Sequence, residues 1–185
     1  MKSVSHIFGG EAKVKIMRMF IFNPVSTFSL NEVATRVKER SSKVRTELRV
    51  LTKAGLIKHR SSGFVLDSSY PYIRAIENFL IDATPLTAKE IIKKISRAGS
   101  IKLILTSGIF LHDRDSRVDI LVVGDHLSQA KLVSAMSSIE AELGKELRYA
   151  AFETSDFQYR LSIYDKLIRD ILDYRHEKIL NKLGV

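Results

Sequence analysis

From Glu11 to Phe22 the apolar side chains Val14, Ile16, Met17, Phe20 and Ile21 recur at helical spacing, and Asn23-Pro24 stops that helix. Thr27-Phe28 is short and extended. Ser29-Leu30-Asn31-Glu32 then has the S-x-x-E spacing in which the serine hydroxyl takes a backbone N–H and the glutamate reaches back to the cap. A second helix is therefore expected from about Leu30, with Val33, Ala34 and Val37 inward. Beyond the tight basic connection Lys38-Glu39-Arg40, Ser41 or Ser42 can cap a third helix that runs to about Ala54, with Gly55 as its stop. Leu56–Arg60 and Phe64–Leu66 are predicted strands around Ser61-Ser62-Gly63, a hairpin.

Tyr70-Pro71-Tyr72 opens another amphipathic helix through Ile73, Ile76, Phe79 and Leu80, which Ala83-Thr84-Pro85-Leu86-Thr87 interrupts. The interruption places a domain boundary between residues 82 and 83. A helix over 87–97 follows, stopped by Gly99, then strands at 101–105 and 118–123. The second of these is nearly all apolar, as a central strand would be. Residues 128–143 are predicted helical with Leu132, Met136, Ile139 and Leu143 inward, 146–152 a third strand, and the chain helical from Asp156 to the end with a break near Ser162. The expected class is α+β: an N-terminal helical domain closed by a hairpin, then a small mixed sheet with C-terminal helices.

Charge sharpens this division. Residues 1–82 hold 14 Lys and Arg against 7 Asp and Glu, while residues 83–185 hold 16 against 14. Nine cations and two anions lie between Arg36 and Arg60. Such a local field attracts a polyanion by releasing condensed counterions, which makes nucleic acid the first candidate partner and an anionic membrane surface the second. The 185 residues include no cysteine, no signal-peptide core and no apolar run long enough to span a bilayer, so a cytoplasmic chain without membrane association is expected.

On the third helix Val44, Leu48 and Leu51 form an apolar stripe, and a 100° turn per residue puts Ser42, Arg45, Thr46, Arg49 and Lys53 on the opposite side. Arginine can give paired hydrogen bonds to guanine O6 and N7, and hydroxyls suit phosphates or base edges. Ser42, Lys43, Arg45, Thr46, Arg49 and Lys53 are therefore candidate double-stranded DNA contacts, with His59 and Arg60 beside Ser61 and Ser62 as candidate phosphate contacts at the hairpin tip. The competing reading is a solvated or protein-binding face. The segment Ser29 to Leu66, with S-L-N-E-V-A on the second helix and R-T-E-L-R-V-L-T-K-A-G-L-I-K on the third, resembles the winged helix-turn-helix transcription regulators of the ArsR and MarR type. That resemblance implies operator binding, usually as a dimer. His6, His59, His112, His126 and His176 are scattered without ligand spacing, so no metal sensing is expected.

Residues 101–124 read I-K-L-I-L-T-S-G-I-F-L-H-D-R-D-S-R-V-D-I-L-V-V-G, which resembles the core of the minimal nucleotidyltransferases of the polymerase-β superfamily. Asp156-Phe157-Gln158-Tyr159-Arg160 resembles the short helix after their third strand. Those enzymes place a Gly-Ser turn after the first strand, two carboxylates spaced D-x-D on the next, and a third carboxylate on a later strand, jointly holding two Mg²⁺ ions. Here the turn is Ser107-Gly108, the D-x-D position is Arg117-Val118-Asp119, and Arg148 aligns with the third carboxylate unless the register shifts to Glu146. Asp113 and Asp115 are expected to be solvated loop carboxylates. The resemblance therefore implies a degenerate site without metal, cofactor or catalytic residue, in which Arg117 and Arg148 flank Asp119 and neutralise it by fixed charge. The alternative is that Arg117 faces solvent and Asp119 caps a loop.

Together these features point to a DNA-binding transcription regulator whose second domain binds a small-molecule or protein effector or forms a homodimer. Apolar positions on helix 70–82 and at Leu167, Ile168, Ile171, Leu172, Ile179 and Leu183 motivate the dimer. The alternatives are an active nucleotidyltransferase acting on RNA or protein, and an antitoxin-like scaffold for a partner protein.

Overall fold

The computed structural model describes residues 2–83, 86–111, 113 and 115–185, the side chains of residues 2–4 and 82 excepted. Thr84 and Pro85, at the centre of the expected interruption, lie outside the described residues, as does His112. The fold is α+β, and the chain divides into two compact units: residues 1–87 with 137–146, and residues 88–136 with 147–185. Residues 137–146, which the sequence boundary assigns to the second domain, belong to the first unit.

The first unit begins with α1 (Lys2–Ile7) and α2 (Glu11–Ile21), the latter buried along most of its length. Its buried residues include two cations. Lys15 Nζ lies 3.0 Å from Glu142, and Arg18 donates to the carbonyl of Ala83. Burial pulls the Arg18 guanidinium down to about 10, against the opposing attraction of Glu142.

In α3 (Leu30–Val37) the expected capping box is formed: Ser29 Oγ accepts from Glu32 N at 3.3 Å, and Ser29 N donates to Glu32 Oε2 at 2.7 Å. Lys38 closes the helix in the left-handed region at φ 54°, turning the chain into α4 (Ser41–Lys53). Neither Ser41 nor Ser42 caps α4. Arg40 occupies the cap position with no side-chain hydrogen bond, because Ser41 is already helical and only a residue still extended can fold its side chain over the first free N–H groups. Val44, Leu48 and Leu51 are buried in the core with Phe20, Val33 and Leu56, each contributing roughly 1.5–3 kcal/mol of hydrophobic stabilisation.

β1 (Ile57–Arg60) and β2 (Gly63–Leu66) pair as an antiparallel hairpin, joined by Ser61-Ser62. Phe28 adds a third extended position, exchanging both backbone hydrogen bonds with Phe64 at 2.9 and 2.8 Å. That approach is why residue 63 is glycine: at φ 132° a Cβ would stand 2.6 Å from the Phe28 carbonyl oxygen. α5 (Ile73–Asp82) follows, with Leu80 in the core and Ile73 and Ile76 packed against it.

The second unit holds α6 (Ala88–Ile95), β3 (Ser100–Thr106), β4 (Ile120–Asp125), the first part of α7 (Gln129–Leu143), β5 (Tyr149–Glu153), α8 (Thr154–Ser162), α9 (Lys166–Asp173) and β6 (Glu177–Asn181). The sheet order is β5-β4-β3-β6, with β4–β5 parallel and the other pairs antiparallel. Leu103, Leu105, Leu121 and Val123 on one face are covered by Phe157, Ile168 and Ile171 from α8 and α9. The expected break near Ser162 falls between α8 and α9, but the chain is not helical to its end. Asp165 starts α9 by accepting from Leu167 N and Ile168 N, and the last element is an edge strand on β3. Leu167, Leu172 and Leu183 also pack on this core. The C-terminal apolar side chains counted as surplus for a dimer are largely consumed by their own unit.

Candidate functional site

The exposed side of α4 carries Ser42, Lys43, Arg45, Thr46, Arg49 and Lys53, opposite the buried Val44, Leu48 and Leu51. The local cause is the 3.6-residue period: three anchors turned into the core oblige the intervening positions outward. Structure also sorts the nine cations between 36 and 60. Arg36 pairs with Glu146 at 2.8 Å and lies over the Phe28 ring, Lys43 pairs with Glu39 at 3.3 Å, and Lys58 with Asp67 at 2.8 Å. Among the described residues Arg40, Arg45, Arg49, Lys53 and Arg60 are exposed and form no ion pair. The usable field is smaller than the sequence total, and it concentrates on α4 and the hairpin tip. Lys43 is already engaged by Glu39 in the connection before its helix, and Thr46 Oγ1 donates to the Ser42 carbonyl at 3.2 Å.

At the tip His59, Arg60, Ser61 and Ser62 are all exposed, and the His59 ring rests on Phe64 with centroids 4.6 Å apart. The hairpin's base is tied by Asp67. Its carboxylate takes Lys58 Nζ, Ser69 Oγ at 2.6 Å and Ser69 N at 3.0 Å, and these donors, Lys58 foremost, hold it down to about 2.

In the second unit the two arginines do not converge on Asp119. Arg117 is 55 % exposed and turns to Asp170, with Nε 2.6 Å from Oδ2. The physical reason is local: β4 begins only at Ile120, so the two-residue strand alternation that would align positions 117 and 119 does not extend to them. Asp119 itself is 4 % exposed and is held chiefly by backbone. Oδ1 accepts from Ile109 N at 2.9 Å and Oδ2 from Arg148 N at 2.8 Å, while the Arg148 guanidinium reaches Oδ2 only at 3.5 Å. Gly108, at φ 52°, leaves the space that the carboxylate fills, since a Cβ there would fall 2.1 Å from Oδ1.

Around this centre Ser107 Oγ donates to the Arg175 carbonyl, and Ser116 Oγ lies 2.9 Å from Ser107 Oγ and 2.7 Å from the Val118 carbonyl. Ser107, Ser116 and Asp119 form a buried polar latch joining the loop after β3, the start of β4 and the turn before β6. Sequence reasoning singled out Ser107 and Asp119 but missed Ser116, whose signal was its place in S-R-V-D. It also missed Val50, an exposed apolar side chain on α4 that the same angular count would have found. Asp113 accepts from Asp115 N at 2.9 Å in the loop, and Asp115 is exposed.

The residues present do not fit the paired divalent ions of a nucleotidyltransferase. An arginine precedes Asp119 by two positions, another guanidinium approaches it, and among the described residues no cluster of three or more His, Asp or Glu could hold a metal ion. No helix of the described residues is long and apolar enough to cross a membrane. Comparison of the chain with protein-family models, with curated proteins and with solved structures gives no match.

Proposed function

We propose that the chain is a cytoplasmic regulator that binds duplex DNA through its first unit, with α4 entering the major groove and the β1–β2 tip contacting the backbone. The observation that carries this reading is the single exposed face of Ser42, Arg45, Thr46, Arg49 and Lys53, whose three cations have no ion pair among the described residues. Three helices followed by a hairpin, with Phe28 bridged to β2, support a winged helix-turn-helix arrangement in which such a face is the reading surface. A homodimer belongs to the proposal, since one reading helix spans a single half-site.

The second unit is proposed to be non-catalytic, a seat for a small-molecule or protein effector or for self-association. The Asp119 carboxylate bonded to Ile109 N and Arg148 N, and the arginines at 117 and 148, favour that reading over nucleotidyl transfer.

Titration of a labelled duplex across a salt series tests the proposal. Neutralising about five phosphates per protomer, and so about ten in the homodimer complex, gives a log–log slope of about −9, at about 0.9 for each phosphate. Arg45→Ala and Arg49→Ala should each cost roughly 1–3 kcal/mol where the residue reads a base. Binding that ignores salt and survives the double substitution refutes the assignment of α4.

A further inference from the structure

The solvent-facing stripe of α4 is not wholly polar. Counted from Ser42, its members fall at i, i+3, i+4, i+7, i+8 and i+11, which are Ser42, Arg45, Thr46, Arg49, Val50 and Lys53. Val50 is the i+8 member, one turn beyond Thr46, adjacent to Arg49 and one turn before Lys53, and it is 44 % exposed. Helix stability does not account for a valine there, because a β-branched residue is a poorer helix former than the alanine, leucine, lysine or glutamate that would serve an exposed position. Core packing does not account for it either. Val44, Leu48 and Leu51 anchor the helix from the far side, about 100–160° around the axis from Val50 at 100° per residue.

We infer that Val50 is a specificity-determining residue that recognises the 5-methyl group of a thymine in the major groove. The inference rests on the proposed entry of α4 into that groove. Of the groups that base pairs display there, the thymine methyl alone is apolar; the others are ring nitrogens, carbonyl oxygens and amino groups. A valine pressed against one of those polar edges removes its water and returns no hydrogen bond, which is unfavourable. Against a thymine methyl it buries apolar surface from both partners. Selection is therefore two-sided: attraction to thymine, and desolvation loss against cytosine, whose amino group occupies the neighbouring edge. Arg45, Arg49 and Lys53 fix the helix on phosphates and base edges on either side, so that Val50 meets one defined step.

Random duplex DNA is selected on the full-length chain, and each thymine of the preferred site is then replaced by uracil, which deletes the methyl group alone. One thymine per half-site should weaken binding about fourfold on replacement, the equivalent of about 0.8 kcal/mol for one methyl group withdrawn from apolar contact. In the Val50→Ala protein that position should become indifferent to the replacement, while the salt slope of the complex stays as in the unsubstituted protein. A double-substitution cycle between residue 50 and that methyl isolates their coupling from any general effect of either change. A selected site that tolerates every thymine-to-uracil replacement without loss, or a thymine sensitivity that persists unchanged in Val50→Ala, overturns the role of Val50 and leaves DNA binding standing. Failure to select any duplex overturns both.

Discussion

Replacing Asp119 by alanine should open the second unit, and the size of the effect follows from which groups lose a partner. The carboxylate is buried and accepts two backbone N–H bonds, from Ile109 at 2.9 Å and Arg148 at 2.8 Å. Each buried donor left without an acceptor costs about 1–3 kcal/mol, so the two together cost roughly 2–6 kcal/mol. Removing the carboxylate's own desolvation penalty offsets part of this, which brings the expectation to about 2–4 kcal/mol. Against a total domain stability of about 5–15 kcal/mol that is a large fraction. Asp119→Asn should be intermediate, since one oxygen still accepts while the amide NH₂ confronts the other N–H.

Arg148→Ala is the contrasting variant. It keeps the backbone N–H and removes a guanidinium that is 56 % exposed and 3.5 Å from the carboxylate, so it should cost under about 1 kcal/mol. Amide hydrogen exchange on the full-length chain reads both effects, with peptides of the first unit as the internal reference. The reasoning fails if Asp119→Ala leaves the Ile109 and Arg148 amides as protected as before, or if Arg148→Ala costs as much as Asp119→Ala.

Two further expectations concern the first unit. Gly63→Ala, which forces a Cβ to 2.6 Å from the Phe28 carbonyl at φ 132°, should destabilise the unit by on the order of 2–4 kcal/mol in thermal unfolding, with the Phe28 and Phe64 amides losing protection first. Acid should destabilise it as well. Asp67 is held down to about 2 by Lys58 and Ser69, and Glu32 is held below its ordinary value by the Ser29 backbone N–H and hydroxyl. Folded values below the unfolded ones mean stability that is present above an unfolded carboxylate pKa of about 4 and lost as the pH falls through the folded values. The thermal midpoint should therefore drop between about pH 5 and pH 2, and Asp67→Asn should flatten part of that slope; an equally steep slope in the variant contradicts the assignment.

What the sequence determined by itself is what depends on neighbours a few positions away. Ser29 and Glu32 announce the start of α3 because a capping box closes within four residues. The opposition of Val44, Leu48 and Leu51 to Ser42, Arg45, Thr46, Arg49 and Lys53 needs only the helical turn angle, so the candidate reading face of α4 was legible before any tertiary contact was known. The strand, helix and turn positions of the second unit follow for the same reason up to α9, where local periodicity stops being informative. The segment after Tyr174 has apolar residues that suit either a helix or a strand, and it becomes β6 because β3 offers a free edge.

Tertiary structure alone decided the rest. Arg36 and Lys58 leave the free cationic field because Glu146 and Asp67, each outside the element that carries the cation, reach them. Arg117 turns to Asp170, distant in sequence, and Asp119 is satisfied by amides ten and twenty-nine residues away. Charge spacing along a chain does not specify such pairings. They depend on where β4 begins and which loops are folded against its first residue, and that is set by the packing of the whole unit.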